Sequence, residues 1–527
     1  MSLRSTHLDQ MRNGTFDTLI IGGGINGCGI ARDAAGRGLR VGLAEMGDLA
    51  SATSSASTKL FHGGLRYLEF LEFRLVREAL IEREILLSIC PHISRPMRFV
   101  LPLSPEMRFE NMTPVSRILA RLMPWTKGRR PVAMIRAGLF LYDWMGGRRI
   151  LPATRSLRLD REPEGAPLEP RFKRAFEYSD GWVDDARLVV LNARDAAERG
   201  ATILTRTKVV SAQRVGDQWE IATAGPDGDQ VYTARALVNA AGPWAGQVID
   251  EVARLPSGDR LRLVRGSHIV TRKLFDHDKA YFFQGGDGRI IFAIPYEQDF
   301  TLIGTTDQDH PDPETRPECS EAEISYLLDF ANSYFAKDIS RADVVWTYSG
   351  VRPLHEEGEA SATAASRDYT LRLDDTGAPL LNVFGGKITT YRKLAEAALD
   401  LLAPSFPGMS GGWTRREALP GGNFPVGGTL AIAAELQLAY PFLPLALAQR
   451  LARAYGTDGA AILGAAKDMK DLGPDFGGGL TAAEVRWLMD REFARTAEDV
   501  LWRRSKLGLR LDAGQVKRLQ AWVAARA

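Results

Sequence analysis

Two glycine-rich segments carry the clearest chemistry in this 527-residue sequence: Ile21-Gly22-Gly23-Gly24-Ile25-Asn26-Gly27-Cys28-Gly29 and Gly385-Gly386-Lys387-Ile388-Thr389-Thr390-Tyr391-Arg392. In the first, Gly22 permits a tight turn, Gly24 lets backbone amides approach phosphate oxygens, and Gly27 lets a helix pack closely on a strand. The second reads as another glycine loop entering another helix. Two helix N-termini, each with unpaired amides and a positive dipole end, suit one elongated anionic ligand that carries a pyrophosphate.

The elements around the first segment have the required context. Thr18-Leu19-Ile20-Ile21 reads as a buried parallel strand, and the helix after the turn presents Ile30, Ala31, Ala34 and Ala35 to it. A second strand, Leu39 to Glu45, ends on the carboxylate that accepts ribose hydroxyls in dinucleotide folds. NAD and FAD both satisfy this pattern. The next segment, Asp48 to Lys59, is a run of small hydroxyl residues with too little apolar content for a core element, which suits a loop lying along a ligand. It leads into Phe61-His62-Gly63-Gly64-Leu65-Arg66-Tyr67-Leu68-Glu69, where a glycine pair precedes a cation and an aromatic. This ending favours FAD.

Length and composition bound the rest. A chain of 527 residues calls for two or three domains. Its 45% hydrophobic and 25% charged residues are the proportions of a folded protein. A net charge of +2 gives no global support for nucleic-acid binding, so any anion site must be local. Cys28, Cys90 and Cys319 are scattered without a CxxC pair, so neither a disulfide framework nor a metal centre is expected, and the compartment reads as reducing. Met1 to Phe16 is polar, unlike a signal peptide, and no run of about 18 apolar residues suggests a spanning helix.

Between Thr113 and Arg149 the basic residues Arg117, Arg121, Lys127, Arg129, Arg130, Arg136, Arg148 and Arg149 alternate with leucine, tryptophan and tyrosine, and Asp143 is the only acid. Such a stretch suits a helix at the headgroup level of an anionic membrane, or a basic helix packed on the protein's own core. Ala201–Thr205, Val209–Val210 and Gln218–Thr223 read as strands, the last as an edge strand. Ala236–Gly246 reads as a buried strand ending in a glycine turn and a helix start, and in an assembled nucleotide-binding fold such a strand is expected to close the sheet. Gly266–Val270, Lys279–Phe283, Arg289–Pro295 and Phe300–Asp307 read as successive strands of an antiparallel sheet. After Ala403 the periods are helical, with Thr481-Ala482-Ala483-Glu484 as a capping box.

Five of these segments, Ile21–Gly38 (IGGGINGCGIARDAAGRG), His62–Glu69 (HGGLRYLE), Val238–Gly246 (VNAAGPWAG), Ser349–Leu354 (SGVRPL) and Gly385–Ala395 (GGKITTYRKLA), resemble the FAD-dependent glycerol-3-phosphate dehydrogenases of aerobic type. These are a branch of the D-amino-acid-oxidase-like flavoproteins. The resemblance implies an α/β fold in which a Rossmann-type FAD-binding domain is assembled from residues 15–75, 180–260 and 345–402. Residues 76–179 and 261–344 would form an antiparallel-sheet substrate domain, and 403–527 a helical C-terminal domain. The implied cofactor contacts are Gly22, Gly24, Ile25, Asn26, Gly27, Glu45, Ser54, Ser55, Thr58, His62, Gly63, Gly64, Val209, Ala241, Gly242, Trp244, Gly386, Lys387, Ile388 and Thr389.

The implied reaction is oxidation of sn-glycerol 3-phosphate to dihydroxyacetone phosphate, with hydride passing from C2 to flavin N5 and electrons passing on to a membrane quinone. A phosphate monoester carries close to two negative charges, which forked guanidinium donors hold best. Arg66, Arg352 and Arg367 are the candidates, with Tyr67 adding a hydroxyl. Arg352 is expected beside the reacting carbon, and Lys387 with the following helix N-terminus beside flavin N1 and the C2 carbonyl. His62 and His268 are the candidate proton acceptors. The competing reading of a lone arginine is a surface ion pair, and of a lone histidine a structural hydrogen bond. Expected partners are glycerol 3-phosphate, a quinone and an anionic membrane surface, with no nucleic acid and with a homodimer left open. The expected location is cytoplasmic, peripheral on the inner face of the inner membrane. Two alternatives stand: a flavin amine or amino-acid oxidase using oxygen, against which the three arginines argue, and a non-catalytic flavoprotein electron-transfer subunit, against which intact Arg66, Tyr67, Arg352 and Lys387 argue.

Overall fold

The computed structural model describes residues 15–104, 107, 113–115, 121, 130–147, 149–256, 259–285, 289–356 and 368–526. The strand Phe16–Ile21 is buried on both faces, with Leu19 and Ile20 inaccessible to solvent, so it must lie inside a sheet covered on both sides. It pairs in parallel with Val41–Glu45 on one side and Gln230–Asn239 on the other. Thr202–Thr205 and Leu380–Phe384 extend the parallel array, and Thr370–Asp374 adds an antiparallel edge. The hairpin of Lys208–Val215 and Gln218–Ala224 hangs from Gln230–Asn239, completing eight strands.

Helices Ile25–Gly36, Asp185–Glu198 and Tyr391–Leu402 cover one face around Ile20, Leu43, Val238 and Leu381. Leu19, Ile21 and Leu237 fill the other face against Trp219 and Val248. Each such side chain, wholly buried, contributes about 1.5–3 kcal/mol. Two sequence expectations are corrected here. The strand before Gly242 does not close the sheet, because Leu380–Phe384 pairs along its far side. Nor is Gln218–Thr223 an edge, being paired on both sides; its alternation reports one covered face, with Trp219, Ile221 and Thr223 inward.

The second sheet has ten strands, and every pairing in the described residues is antiparallel except that of Ser94–Pro102 with Ala280–Gln284. Arg260–Arg272 pairs with Val344–Glu356 from Arg260↔Glu356 to Thr271↔Val344. The segment from 345 to 356, expected with the nucleotide-binding domain, is therefore hydrogen-bonded into the second sheet. So is Leu60–Phe61, through Trp182 and Gly181. The helix Glu321–Asn332, begun by a capping box of Ser320 and Glu323, packs Ile324 and Leu327 on Ile269, Ala293 and Ile303. Opposite, Val76 and Leu80 of the helix Phe73–Ile89 pack with Leu139 and Tyr142 of the helix Val132–Met145.

In the basic stretch the helix Val132–Met145 has one face on the protein's own core and one open face. Leu139 and Tyr142 are buried, whereas Phe140 and Trp144 stand 66% and 72% exposed. Arg117, Lys127, Arg129 and Arg148 lie outside the described residues. The C-terminal helices, among them Leu445–Tyr455, Ala482–Arg491 and Ala513–Ala524, enclose a separate core of Leu447, Leu451, Val485, Leu488 and Leu519. Thr481 caps the second of these by accepting from the Glu484 amide.

The strand-to-helix turn tolerates no side chain at Gly27, where a Cβ would stand 2.0 Å from the Gly22 carbonyl oxygen. In an open helix Gly→Ala stabilises by about 1 kcal/mol; here the collision reverses the sign. Gly27→Ala is expected to destabilise the apoprotein by about 2 kcal/mol, read as a lower urea midpoint at unchanged slope.

Candidate active site

The carboxyl ends of the parallel strands lie level, since Ile21 pairs with Ala44 and Asn239, and Asn239 with Asn382. Everything that leaves these ends converges in one crevice, as ligand sites of open α/β sheets do. Gly22 leaves the first strand at φ +111°, passing so close to Ala240 that a Cβ would meet its carbonyl oxygen at 2.5 Å. Glu45 ends the second strand, its carboxylate accepting the Gly23 amide at 2.6 Å and the Gly47 amide at 2.7 Å. Burial raises its pKa, and these two amides oppose the shift. Ala241, Gly242 and Trp244 leave the strand Gln230–Asn239, partly exposed, with the Trp244 indole donating to Glu314.

The two glycine segments touch. Asn26 Nδ2 donates to the Gly385 carbonyl at 3.0 Å across 359 residues of sequence. Asn26 Oδ1 is buried without a hydrogen-bond partner among the described residues, an acceptor suited to a ligand hydroxyl or amide. Gly24, at the N-cap, has no side chain to occupy the first-turn amides, and Ser54 Oγ accepts that of Ile25 at 3.0 Å. Gly386, at φ +96°, lies over Asn26, where a Cβ would approach its amide to 3.1 Å. A glycine cradle, an orphan acceptor and a ribose-ready carboxylate together fit a flavin dinucleotide. Ser55 Oγ stands 3.5 Å from the Ala52 carbonyl, and the Val209 side chain is buried among Phe16, Ile21 and Ala44.

The second sheet closes over the far end of this crevice. Gly350 lies against Ala56, and Thr53 Oγ1 donates to the Val351 carbonyl at 2.6 Å, so the hydroxyl-rich loop is clamped to the strand that carries Arg352. Arg352 itself donates to the Thr306 carbonyl at 3.0 Å and pairs with Asp307 at 2.5 Å. Thr58 Oγ1 and His268 Nε2 share a hydrogen bond of 3.0 Å, and His268 stacks on Tyr348 with ring centres 4.7 Å apart. His62 donates its backbone amide to Thr389 Oγ1, tying the His62-Gly63-Gly64 turn to the second glycine loop. Lys387 Nζ sits 4.0 Å above the Tyr67 ring. Arg367 lies outside the described residues.

Several residues here escaped sequence reasoning. Tyr142 donates to Asp180, accepts the Gly63 amide at 2.7 Å, and lies beside the Arg83–Asp180 ion pair, so a buried triad holds the glycine turn. Lys59 pairs with Asp185 at 2.7 Å, both side chains buried, and its ammonium lies 5.1 Å from the Tyr348 ring centre. Nothing in local spacing joins Tyr142 to Asp180, or Lys59 to Asp185; the second sheet and the helix Asp185–Glu198 bring them together. Only the polar ending of the hydroxyl-rich loop could have hinted at Lys59.

Burial, with Lys387 and Arg83 nearby, lowers the His62 pKa to about 4. Burial, with Lys59 and Arg352, drives His268 well below the usual imidazole range. His92 is lowered to about 3 by burial first, then Arg187 and Arg194. All three are neutral in the fold, whereas the unfolded chain binds protons below about pH 6.5. Between those limits the unfolded state holds more protons, so stability falls as pH falls. Between pH 7.5 and 5 the apoprotein is expected to lose about 1–2 kcal/mol more stability than its His92→Gln variant, and parallel thermal-unfolding profiles would contradict it.

Residues 17–392 match the family of FAD dependent oxidoreductases, and residues 413–524 match the C-terminal domain of alpha-glycerophosphate oxidase. The chain is 49% identical over 511 residues to D-erythritol 1-phosphate dehydrogenase of Brucella abortus, covering 96% of this chain and 97% of that protein. It is 48% identical over 513 residues to aerobic glycerol-3-phosphate dehydrogenase of Escherichia coli, covering 97% of each. The solved structure of glycerol-3-phosphate dehydrogenase from Bacillus halodurans complexed with FAD superposes with a TM-score of 0.76 at 27% identity, covering 99% of this chain and 93% of that one. Both sequence regions matched, on a fold whose crevice fits the flavin, make this chain a member of the FAD-dependent glycerol-3-phosphate dehydrogenase family, within the FAD dependent oxidoreductases.

Proposed function

We propose that the protein oxidises sn-glycerol 3-phosphate at C2 to dihydroxyacetone phosphate. What carries this reading is the gathering of cations at the sheet-covered end of the crevice, with Lys387 near His62 and Arg352 near His268, beside the buried pairs Arg83–Asp180 and Lys59–Asp185. Such a pocket favours a dianionic substrate over a zwitterionic amino acid. FAD, when bound, supplies the hydride acceptor and passes the electrons on to a quinone. Arg352, on the clamped strand, orients the substrate phosphate and steadies negative charge as the hydroxyl loses its proton. Arg66 and Tyr67, on the turn after Gly64, add donors to the phosphate, and Lys387 stabilises negative charge on the reduced ring.

His268 and His62 are the groups to hold the hydroxyl proton. In the free enzyme burial first and nearby cations second suppress their basicity, and a bound phosphate dianion offsets the part that the cations contribute. A second reading differs in substrate length. The relative named for D-erythritol 1-phosphate matches this chain as well as those named for glycerol 3-phosphate, so a four-carbon phosphorylated alcohol is the competing substrate.

Among the described residues no helix is long and apolar enough to cross a membrane. We place quinone access at the exposed side of the helix Val132–Met145, where Phe140 and Trp144 offer apolar surface to the headgroup region of a cytoplasmic leaflet.

Anaerobic addition of glycerol 3-phosphate is expected to bleach the visible absorbance of the purified yellow protein, and glycerol to leave it unchanged. Faster bleaching by erythritol 1-phosphate would reverse the substrate choice. Arg352→Ala is expected to slow bleaching about a hundredfold with FAD still bound. Phe140→Ser with Trp144→Ser is expected to cut co-sedimentation with vesicles of anionic phospholipid about fivefold or more, and undiminished binding would move the membrane face elsewhere.

A further inference from the structure

The turn that presents Glu45 is held from outside the nucleotide-binding sheet. Asp48, three residues on, is buried and receives a bidentate pair from Arg504, with Nη1 at 2.6 Å and Nη2 at 2.8 Å. Arg503 Nε adds a third donor at 2.5 Å. Both arginines belong to the turn Asp499–Arg504 of the C-terminal domain, and Arg504 is anchored there by the Glu492 carbonyl. From the other side, the Arg206 amide donates to the Gly47 carbonyl at 2.7 Å, and the Thr207 amide to the Glu45 carbonyl at 2.8 Å. The Arg206 guanidinium reaches Asp499 at 2.7 and 2.9 Å. The backbone between these anchors is strained, because Ala50 and Arg206 hold φ of +59° and +57°. Non-glycine residues keep such conformations only where their surroundings over-determine them.

These contacts run from Asp499, Arg503 and Arg504, through Asp48 and Arg206, to the backbone of Glu45 and Gly47, and the Ala50 amide, in the same turn, donates to the carbonyl of Gly23, whose own amide, with that of Gly47, meets the Glu45 carboxylate. We propose that the C-terminal domain is a flavin-retention latch: by locking the Gly47–Ala50 turn it pre-organises Glu45 for the ribose, so that Asp48 and Arg504 are positioning residues for cofactor affinity. The proposal rests on the assignment of Glu45 to the ribose. Its physical basis is that a carboxylate held in its binding orientation loses little freedom when the ligand arrives, whereas a loosened turn must be ordered at that moment.

The test is an FAD titration of the full-length apoprotein by flavin fluorescence, for wild type, Asp48→Asn, Glu45→Gln and the double variant, with amide hydrogen exchange over residues 46–51. Asp48→Asn is expected to raise the FAD dissociation constant about tenfold and to speed exchange in the turn. In the Glu45→Gln background the same change is expected to add less than about threefold, since its effect passes through that carboxylate. Unchanged affinity in Asp48→Asn, or the same factor in both backgrounds, overturns the latch. Unchanged affinity in Glu45→Gln overturns the ribose assignment beneath it and is distinguishable from the first result. Should Asp48→Asn not fold, Arg503→Gln, at a side chain 13% exposed, decides by the same comparison in the two backgrounds.

Discussion

Parallel pairing of the strand Phe16–Ile21 with neighbours on both sides is the constraint from which the rest of the site follows. A parallel strand with both faces covered leaves its polar chemistry only at its ends. With the registers level, the turns after Ile21, Glu45, Asn239 and Phe384 emerge side by side, although up to 359 residues separate the groups they bring into contact. Asn26 then joins the first and last of them. Without that alignment, two glycine loops would be two unrelated turns.

Charge around this crevice is held largely in closed, buried ion pairs, as in Asp48 with Arg504 and Arg187 with Glu492. Removing one partner of such a pair strands a charge in a dry interior, so these pairs specify how the domains sit more than they add net stability. At the sheet-covered end the buried pairs Arg83–Asp180 and Lys59–Asp185 stand beside His62 and His268, whose basicity is lowered first by burial and then by the cations.

The second sheet does more than cover the flavin. Its strand Val344–Glu356 carries Arg352 and clamps the hydroxyl-rich loop, while Tyr142 and Asp180 secure the Gly63 turn from beneath. The Arg352 side of the crevice is thus built from long-range antiparallel pairing, and the glycine-turn side from a parallel array. Arg352 stands where the two architectures meet.

The glycine turn, its helix and the carboxylate at the end of the second strand were legible in the residues because their requirements are local. A tight turn, a close helix and a ribose carboxylate each demand a residue type within a few positions, and Gly22, Gly24, Gly27 and Glu45 answer at the expected spacing. The helical C-terminal region and the β-rich run from Gly266 to Asp307 were readable from their periods for the same reason. Strand order, the placement of residues 345–356 in the second sheet, and the partners of Gly63, Lys59 and Asp48 were not. Those depend on pairing between segments far apart in the chain, and a tyrosine, an aspartate or an arginine looks the same in sequence whether it faces solvent or closes a buried triad. Tertiary packing alone decided that Arg504, at the end of a domain with no recognisable catalytic motif, reaches the turn beside Glu45.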